Sequence, residues 1–377
     1  MNRQIHKNKI EWKEVELKDL FKITSSKRVF KSEWKREGIP FYRAREIVKL
    51  SEEGFVNNEL FISEKMYLDY KKKYGVPNEG DIMVTGVGTL GVCYIVRKDD
   101  KFYFKDGNIL WLKKKGGVNP KYVKYAFWLP SIKRWINASS GTTVGTFTIV
   151  RANKTRIPMP FSTGKLNIKE QERIVKILEK SEELTNKSKK AEEFLDEYLK
   201  SVFCEMFYNK GFEEKKGKEL FELVYGKGLS KKERDGGRYS VYGSNGVVGK
   251  HSKFLIEGPG VIIGRKGSIG KVNYSKENFW AIDTTYYIKP LKKINFIYLY
   301  YLLKNYNLNI NRSTAIPGLN RNDVYAIRFI DPPFPLQEKF ASIVEQIERM
   351  KENIHKTKQN SEELFNSLMD KGFKGVL

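Results

Sequence analysis

The most regular hydrophobic pattern in the chain runs through its middle, from about Ile168 to Met206. Pro158 and Pro160 precede this stretch, which itself contains neither proline nor glycine. Its apolar residues recur at heptad spacing, at Ile174, Ile177, Leu184, Ala191, Leu195, Tyr198 and Val202. The pattern predicts one amphipathic helix on the order of 55 Å long. Such a helix is much longer than the usual globular helix of roughly a dozen residues.

The C-terminal part of the chain repeats this pattern, which predicts a second long helix at about 336–370. Its heptad positions are Phe340, Ile343, Ile347, Met350, Ile354, Leu364 and Leu368. Two long helices, each preceded by a domain-sized segment, predict a duplicated molecule built on a pair of packed helices. Ser181 and Ser188 would face Thr357 and Ser361, so we expect the middle of this pair to be less tightly packed than its ends.

Shorter patterns predict small strands and helices before each long helix. In the first half they are an entry strand and short helix at 11–23, a strand-like run at 39–50, a glycine hairpin at 80–96, a strand at 107–113, a helix at 120–137 and a polar loop at 139–160. The second half repeats this order, with an entry element at 218–228, a loop and strand at 230–249, a glycine hairpin at 258–272, strands at 279–290, a helix at 296–306 and a polar loop at 312–323.

The two halves align at particular residues as well as in element order. Gly91 aligns with Gly270 (270 − 91 = 179), Gly145 with Gly318 (318 − 145 = 173) and Gln171 with Gln337 (337 − 171 = 166). The slowly drifting offset is typical of an old duplication whose loops have changed length. We therefore predict an α+β (mixed α/β) fold with a pseudo-twofold internal repeat. Its parts are a first globular domain at 1–160, a central helix at 161–207, a second globular domain at 208–334 and a C-terminal helix at 335–377.

Charge changes the picture from architecture towards function. The chain has 70 Lys and Arg against 45 Asp and Glu, a formal net charge of +25. A chain this basic usually has a polyanionic partner, and nucleic acid is commoner than a membrane surface. A general lysine-rich bias of the composition is the alternative. With 40% hydrophobic and 13% aromatic residues, the chain is predicted to be folded rather than disordered.

Compartment and redox state follow from other features of the sequence. The N-terminal residues have no apolar signal core, and no run approaches the length of a membrane span. We therefore expect a cytoplasmic protein without a membrane partner. Cys93 and Cys204 alone cannot supply a disulfide framework or a zinc site, so both are interpreted as core residues in a reduced compartment.

Two stretches imitate catalytic motifs. Gly264 to Lys271 looks like a phosphate loop, but five residues separate its outer glycines and Val272 follows the lysine. A glycine hairpin is the preferred interpretation. The tetrapeptide Asp331-Pro332-Pro333-Phe334 is of the kind with which adenine methyltransferases hold their target amino group. No glycine-rich cofactor turn in a βαβ context accompanies it, so a proline-rich lead into the second long helix is preferred. No catalytic, cofactor or metal site is predicted in the chain.

Basic and aromatic loops occur at matching places in both halves. Arg and Lys can contact guanine edges or phosphates, Asn can pair with adenine, and Ser and Thr suit either role. The candidate DNA-binding residues of the first half are Lys27, Arg28, Arg43, Arg45, Thr142, Thr143, Thr146 and Arg151. Those of the second half are Lys231, Arg234, Arg238, Tyr242, Ser244, Asn245, Arg265, Lys266, Arg312, Ser313, Thr314, Asn320 and Arg321.

The ordered set of these motifs resembles the specificity subunit of type I restriction–modification systems, over nearly the whole chain. The residues that carry the resemblance are IPFYRAREI (39–47), GDIMVTGVGTLGVCYIV (80–96), YGSNGVVG (242–249), GPGVIIGRKGSIGKV (258–272), FWAIDTTYYI (279–288) and the two junctions from proline into a long helix that carries Gln-Glu. No single motif decides the matter, whereas the same ordered set occurring twice is specific.

The resemblance implies two target-recognition domains, each reading one half of a split, asymmetric site on double-stranded DNA. It also implies that the long helices form an antiparallel coiled coil that spaces these domains. Such a subunit is not catalytic. It recruits two modification subunits, which methylate adenine, and restriction subunits in the full complex, so that S-adenosylmethionine, ATP and Mg²⁺ are bound by the partners. Two alternatives stay open, an adenine methyltransferase that uses the Asp331 tetrapeptide and a structural coiled-coil adaptor.

Overall fold

The chain divides into two compact units in a computed structural model that describes residues 10–138, 145–306, 308 and 318–377. Unit 1 comprises Met1–Lys187 and Lys358–Leu377, and unit 2 comprises Ser188–Thr357. Both long helices contribute one part to each unit. In the part of the chain that the structure describes, no helix is both long enough and apolar enough to cross a membrane.

Unit 1 is built on a four-stranded antiparallel sheet with apolar residues on both faces. Its elements are β1 (Glu11–Glu16), α1 (Leu17–Leu20), β2 (Phe21–Thr24), a 3₁₀ turn (Lys31–Glu33), β3 (Ile39–Tyr42), α2 (Ala44–Glu52), β4 (Phe61–Ile62), α3 (Glu64–Tyr74), β5 (Ile82–Thr85), β6 (Cys93–Ile95), β7 (Tyr103–Phe104), β8 (Ile109–Lys114), α4 (Pro120–Ala126), α5 (Pro130–Asn137), α6 (Ile149–Asn153), β9 (Arg156–Ser162), β10 (Lys165–Leu166) and the first part of α7 (Ile168–Phe207). The strand orders are β2-β8-β5-β6, β4-β3-β7 and β1-β9-β10.

Strand alternation explains the two cores of unit 1. Ile82 and Val84 of β5 face a core formed with α4 and the long helices, whereas Met83 between them faces a second core with Ile47 of α2. Successive side chains of a strand point to opposite faces, so a strand covered on both sides is apolar throughout. All of β5 is accordingly buried.

Unit 2 repeats this arrangement. Its elements are the last part of α7, β11 (Glu214–Lys216), α8 (Gly217–Leu220), β12 (Phe221–Tyr225), a 3₁₀ turn (Lys231–Glu233), β13 (Tyr239–Gly243), β14 (Gly246–His251), β15 (Gly260–Gly264), β16 (Val272–Ser275), β17 (Phe279–Ala281), β18 (Thr285–Pro290), α9 (Phe296–Asn305), α10 (Arg321–Ala326), β19 (Arg328–Ile330) and the first part of α11 (Phe334–Lys374). The strand orders β12-β18-β15-β16, β14-β13-β17 and β11-β19 correspond to those of unit 1.

The predicted internal repeat is confirmed at the level of single hydrogen bonds. Gln171 accepts a hydrogen bond from the backbone N–H of Asn119 at 2.9 Å, and Gln337 accepts one from Asn295 at 2.9 Å. Asn119 and Asn295 also cap the N-termini of α4 and α9. In each unit a buried glutamine of the long helix therefore anchors the first turn of the equivalent short helix.

The long helices run antiparallel within each unit. In unit 1, Ile174 of α7 and Phe373 of α11 belong to one core, so the start of α7 lies beside the end of α11. In unit 2, Phe203 of α7 packs edge-to-face on Phe340 of α11 at 5.3 Å between ring centroids. There the end of α7 lies beside the start of α11. The two predicted helices are confirmed, and both extend slightly beyond the predicted bounds.

The predicted seam of the coiled coil is wrong at four positions, two in each long helix. Leu178 and Leu199 are buried, whereas Leu184 and Tyr198 are 46% and 48% exposed. Met350 and Leu364 of α11 are likewise exposed. Ile177-Leu178 and Tyr198-Leu199 are adjacent apolar pairs, and spacing alone does not decide which member faces the partner helix. The buried positions of α7 follow each other in alternating steps of four and three residues, as coiled-coil packing requires: Ile174, Leu178 and Ser181, and again Leu195, Leu199 and Val202.

Three of the shorter predictions also need correction. Residues 39–50 form β3 followed by α2, because the Glu46 side chain accepts a hydrogen bond from the Arg43 backbone at 2.8 Å and starts a helix. The helix predicted at 120–137 is broken before Pro130, since a residue that precedes proline avoids the helical conformation. The sequence patterns gave no prediction for α3.

The third correction concerns the loop predicted at 139–160. Its described part contains α6 and most of β9, which pairs with β1 along its length. Pro158 and Pro160 lie within β9 and flank the buried residue Met159. Although β9 is the middle strand of its sheet, its pairing with β10 is confined to Phe161 and Ser162, so neither proline is needed as a donor to that strand. The prolines therefore lie within a strand that precedes α7 rather than in a loop.

Candidate nucleic-acid interface

A glycine hairpin forms the framework of the candidate site in each unit. In unit 2 it joins β15 to β16, and the N–H of Gly270 donates to the carbonyl of Gly264 at 2.8 Å. A Cβ at Gly264 would lie 2.1 Å from the backbone oxygen of Ser268, and Gly270 has a φ of +73°. Both positions therefore require glycine. This tight turn confirms the preference for a glycine hairpin over a phosphate loop.

Matching backbone hydrogen bonds in the two units show that Gly86 and Arg265 occupy equivalent positions. The N–H of Gly86 donates to Asn108 at 2.8 Å, and that of Arg265 donates to Thr284 at 2.9 Å. Their carbonyls accept from Phe147 and Leu319 respectively, each at 2.9 Å. These bonds give an offset of 172 residues (319 − 147) at the segment after the hairpin, one less than the predicted alignment of Gly145 with Gly318.

Several predicted residues of unit 2 come together around this hairpin. The hydroxyl of Ser244, in the turn between β13 and β14, donates to the carbonyls of Thr284, at 3.3 Å, and Lys266. Its neighbour Asn245 accepts from the ammonium of Lys271 at 2.7 Å. Lys266 is exposed at the hairpin tip. Lys271 was not among the predicted residues, although it directly follows Gly270, the last glycine of the motif.

Arg265 and Arg321 meet on a tyrosine that was not predicted. Their guanidinium carbons lie 5.1 Å and 4.9 Å from the ring centroid of Tyr225, at the end of β12. Asn320 precedes Arg321 and caps α10 by accepting from the N–H of Asn322 at 3.0 Å. An exposed aromatic residue before Gly226 is the signal in the sequence, but its two partners lie far along the chain.

The remaining predicted residues of unit 2 lie near the β13–β14 hairpin. Arg234 donates to the carbonyls of Leu229 and Val248, at distances down to 3.0 Å, so its guanidinium mainly holds this segment together. Lys231 and Arg238 are exposed. Tyr242 donates a long hydrogen bond of 3.4 Å to the carbonyl of Tyr274. Lys231 and Arg238 can contact a polyanion without breaking a described ion pair.

In unit 1 two predicted arginines are held by carboxylates. Arg43 and Arg45 both form ion pairs with Glu46, and Arg45 also pairs with Glu59. Burial alone would raise the pKa of Glu46, but hydrogen bonds from Arg43 and Arg45 outweigh it, so the pKa is lowered. Glu46 is therefore ionised at neutral pH. Its negative charge compensates part of the positive charge of Arg43 and Arg45, which weakens their attraction for DNA phosphates.

Of the other predicted residues of unit 1, some are exposed and others are held by hydrogen bonds or an ion pair. Lys27 is exposed, with its ammonium 5.7 Å from the ring centroid of Tyr74, and Arg28 pairs with Asp106 at 3.0 Å. Arg151 donates to the carbonyls of Thr146, at 3.1 Å, and Trp135. The predicted residues outside the described part of the chain are Thr142, Thr143, Arg312, Ser313 and Thr314.

The tetrapeptide at Asp331 is a structural junction in unit 2. The carboxylate of Asp331 is 4% exposed and pairs with Lys215, at 2.9 Å, and with Lys292. The carbonyl of Pro332 accepts a hydrogen bond from Gln337 at 2.9 Å, and α11 begins at Phe334. These contacts occupy the groups with which the tetrapeptide would hold a base. They support the interpretation as a lead into the helix.

Comparisons with known proteins all match the chain to DNA specificity proteins of type I restriction systems. The family model for the type I restriction modification DNA specificity domain matches residues 9–193 and again 209–363. A protein named as a type I restriction enzyme specificity subunit in Haemophilus influenzae is 33% identical over 175 residues, 46% of this chain and 41% of that protein. The EcoprrI specificity subunit of Escherichia coli is 26% identical over 118 residues, 31% of this chain and 29% of that protein. The matched stretches thus span less than half of these relatives.

Solved structures with the same fold match over almost the full chain. The type I restriction–modification S subunit of M. genitalium has a TM-score of 0.58 at 18% identity, covering 98% of this chain and 97% of the other. A chain from a study of complex assembly and conformational transition of the type I system has a TM-score of 0.64 at 15% identity, covering 97% and 98%. At such identities the likeness shows the fold alone.

Proposed function

The chain belongs to the type I restriction–modification DNA specificity family, and we propose that each of its two units recognises one half of a bipartite, asymmetric site on double-stranded DNA. One observation carries this proposal. Both units present the same glycine-hairpin framework, but they place different side chains on it, as at Gly86 and Arg265. A repeated framework with different side chains is what recognition of two unlike half-sites requires.

The charge of the exposed loops supports DNA as the ligand. Lys27, Lys231, Arg238 and Lys266 are exposed, and none of them forms a salt bridge with a described carboxylate. Together with the net charge of +25, these cations favour a ligand with closely spaced phosphates. Binding that neutralises several phosphates releases counterions, so affinity falls steeply with salt.

A titration of the full chain with its partner subunits against duplex DNA, at 50 to 200 mM salt, tests this proposal. If six or more phosphates are contacted, affinity should fall by roughly 10³-fold or more over that range. The alanine variant of Lys266 should reduce the slope of log affinity against log salt by about 1. A flat salt dependence would contradict the proposal.

We further infer that the chain recruits two copies of one partner, the modification subunit, and restriction subunits in the full complex. Each unit has a groove between its hairpin, its short helix and its long helix, of about 1160 Å³ in unit 1 and 760 Å³ in unit 2. Glu179 lines the first and Glu345 the second, at equivalent places on α7 and α11. Equivalent grooves suit two identical partners.

In this proposal the chemistry belongs to the partners, which would bind S-adenosylmethionine, ATP and Mg²⁺. The chain itself would supply the DNA sequence specificity and no catalytic group. Calorimetric titration of the isolated chain with S-adenosylmethionine separates this proposal from a methyltransferase that uses Asp331. We expect no heat of binding, and a saturable signal abolished by the Asp331→Ala substitution would favour the enzyme.

A further inference from the structure

An exposed tyrosine flanked by two arginines stands out on unit 2. Tyr225 is 49% exposed, and the guanidinium carbons of Arg265 and Arg321 lie 5.1 Å and 4.9 Å from its ring centroid. Neither arginine forms a salt bridge with any carboxylate among the described residues. Two positive charges thus share one aromatic ring at the protein surface without internal neutralisation, which favours an anionic or strongly hydrogen-bond-accepting ligand.

The stack is held in a fixed orientation. Arg265 donates from Nε and Nη2 to the carbonyl of Asp283, at 3.3 Å and 2.9 Å. The ring of Tyr225 packs on that of Tyr286 at 4.9 Å between centroids, and the hydroxyl of Tyr286 donates to the carbonyl of Leu319 at 3.1 Å. One edge of the Arg265 guanidinium is therefore occupied, while its Nη1 group can donate to a ligand. A planar donor group fixed before binding loses little conformational entropy when it binds.

Arg321 is held less firmly than Arg265. It is the first residue of α10, and its Nη1 group lies 3.5 Å from the carbonyl of Leu223, a distance at the limit of a hydrogen bond. Its side chain is therefore placed by the tyrosine ring more than by hydrogen bonds. Such a cation suits a phosphate, which tolerates variable geometry, better than a base edge.

Unit 1 has none of these three side chains at the equivalent positions. Ser25 follows β2 where Tyr225 ends β12, as the pairing of Thr24 with Trp111 and of Val224 with Tyr287 shows. Position 86 is glycine, and a Cβ there would lie 2.9 Å from the carbonyl oxygen of Phe147.

The third equivalent position differs as well. Ile149 follows the cap Thr148 at the start of α6, as Arg321 follows the cap Asn320 at the start of α10. The stack is thus a feature of unit 2 alone, built on a framework that both units share. Where the framework is the same, a difference in side chains is what can make one half-site differ from the other.

We propose that Arg265 reads a guanine in the major groove of the half-site recognised by unit 2, while Arg321 contacts a neighbouring phosphate and Tyr225 positions both. This inference rests on the proposed function. Guanine presents two acceptors, N7 and O6, to the major groove, and arginine is the side chain that most often recognises them. Contact with a phosphate strengthens binding to every sequence alike, so the two arginines have separable roles.

The test is selection of bound duplexes from a library with randomised positions, using the full chain in complex with its partner subunits. The wild-type complex should select a bipartite site with a guanine in one half. Replacing Arg265 by Gln should change that guanine to adenine, because glutamine pairs with adenine N6 and N7. The discrimination against the other bases should change by roughly 5- to 150-fold at that position and at no other. The half-site read by unit 1 should be unchanged.

Arg321→Ala should leave the selected sequence unchanged, weaken binding to all duplexes and reduce the salt slope by about 1. Arg328→Gln is the matched control, since this arginine of unit 2 lies on the separate sheet β11-β19 and donates to the carbonyl of Glu214 at 3.2 Å. Neither the selected site nor the salt slope should change in the control. A salt slope that Arg321→Ala leaves unaltered would overturn the phosphate contact.

The outcomes separate this inference from the proposed function. If the wild-type complex selects no sequence, the proposed function fails. If it selects a bipartite site that Arg265→Gln leaves unaltered, only the inference about Arg265 fails. Should Arg265→Gln abolish all binding, the Arg265→Lys variant is used to test the inference instead. We expect the Arg265→Lys complex to select the same guanine with lower selectivity, since an ammonium lacks the fixed plane of a guanidinium. Wild-type selectivity of this variant at every position would overturn the inference.

Discussion

The two buried glutamines of the long helices allow a quantitative test of the repeat. Gln337 is 1% exposed, accepts from the N–H of Asn295 and donates to the buried carbonyl of Pro332, both at 2.9 Å. Gln171 is fully buried, accepts from Asn119 at 2.9 Å and donates to the carbonyl of Gly117 at 3.2 Å. Replacing either by alanine removes two hydrogen bonds.

The expected cost differs between the two units. A net hydrogen bond is worth about 1 kcal/mol, and a buried group left unpaired costs about 1–3 kcal/mol. Both partners of Gln337 are at least partly buried, so Gln337→Ala should lower the free energy of unfolding by about 2–4 kcal/mol. Gly117 is exposed and water can reach its carbonyl, so Gln171→Ala should cost about 1–3 kcal/mol.

Urea-induced unfolding followed by circular dichroism measures both costs, and hydrogen exchange at the first turns of α4 and α9 locates them. Glu172→Ala and Glu338→Ala are matched controls, because each is the exposed neighbour of one glutamine on the same helix. The controls should change the free energy of unfolding by no more than about 0.5 kcal/mol. If a glutamine variant were no less stable than its control, or if exchange rose elsewhere, the anchoring role would be refuted.

Three further predictions concern the helices and the junction. Leu178→Ala should cost about 2–4 kcal/mol in urea unfolding and Leu184→Ala less than about 1 kcal/mol, and equal costs would contradict the observed seam. Burial would raise the pKa of Asp331, but Lys292 and Lys215 outweigh it and the pKa is lowered. Asp331→Asn should therefore destabilise the chain at pH 7, with a difference that shrinks as the pH falls from about 4, and a pH-independent difference in unfolding profiles would contradict the ion pairs. Because the family resemblance implies that the helices space the half-sites, removing one heptad from each, about 10 Å, should shorten the selected gap by about three base pairs without changing the recognised bases.

Much of the fold could be predicted because its main signals are long or local. The proline- and glycine-free stretch of the central helix predicted α7 to within one residue at its end. Both hairpins could be predicted from their glycines, some of which adopt the left-handed conformation that favours glycine. The coiled-coil seam was wrong at Tyr198, where the adjacent Leu199 is buried instead, since a heptad pattern sampled at few positions fits either choice.

The candidate site was harder to predict, because its contacts join distant parts of the chain. Tyr225 meets arginines 40 and 96 residues later (265 − 225 and 321 − 225), and no local pattern joins them. The ion pairs of Arg43 and Arg45 with Glu46 are local and could have been recognised from the capping pattern. The contacts of these residues with DNA stay a prediction, as do those of the whole candidate set.

The central claim is that this chain determines which DNA sequence its complex recognises. The most direct measurement is methylome sequencing of cells that express the modification subunits with and without this chain. The account predicts a bipartite, asymmetric motif, methylated on adenine, that is present only when the chain is expressed. An unchanged methylome, in cells where the complex is shown to assemble, would contradict it.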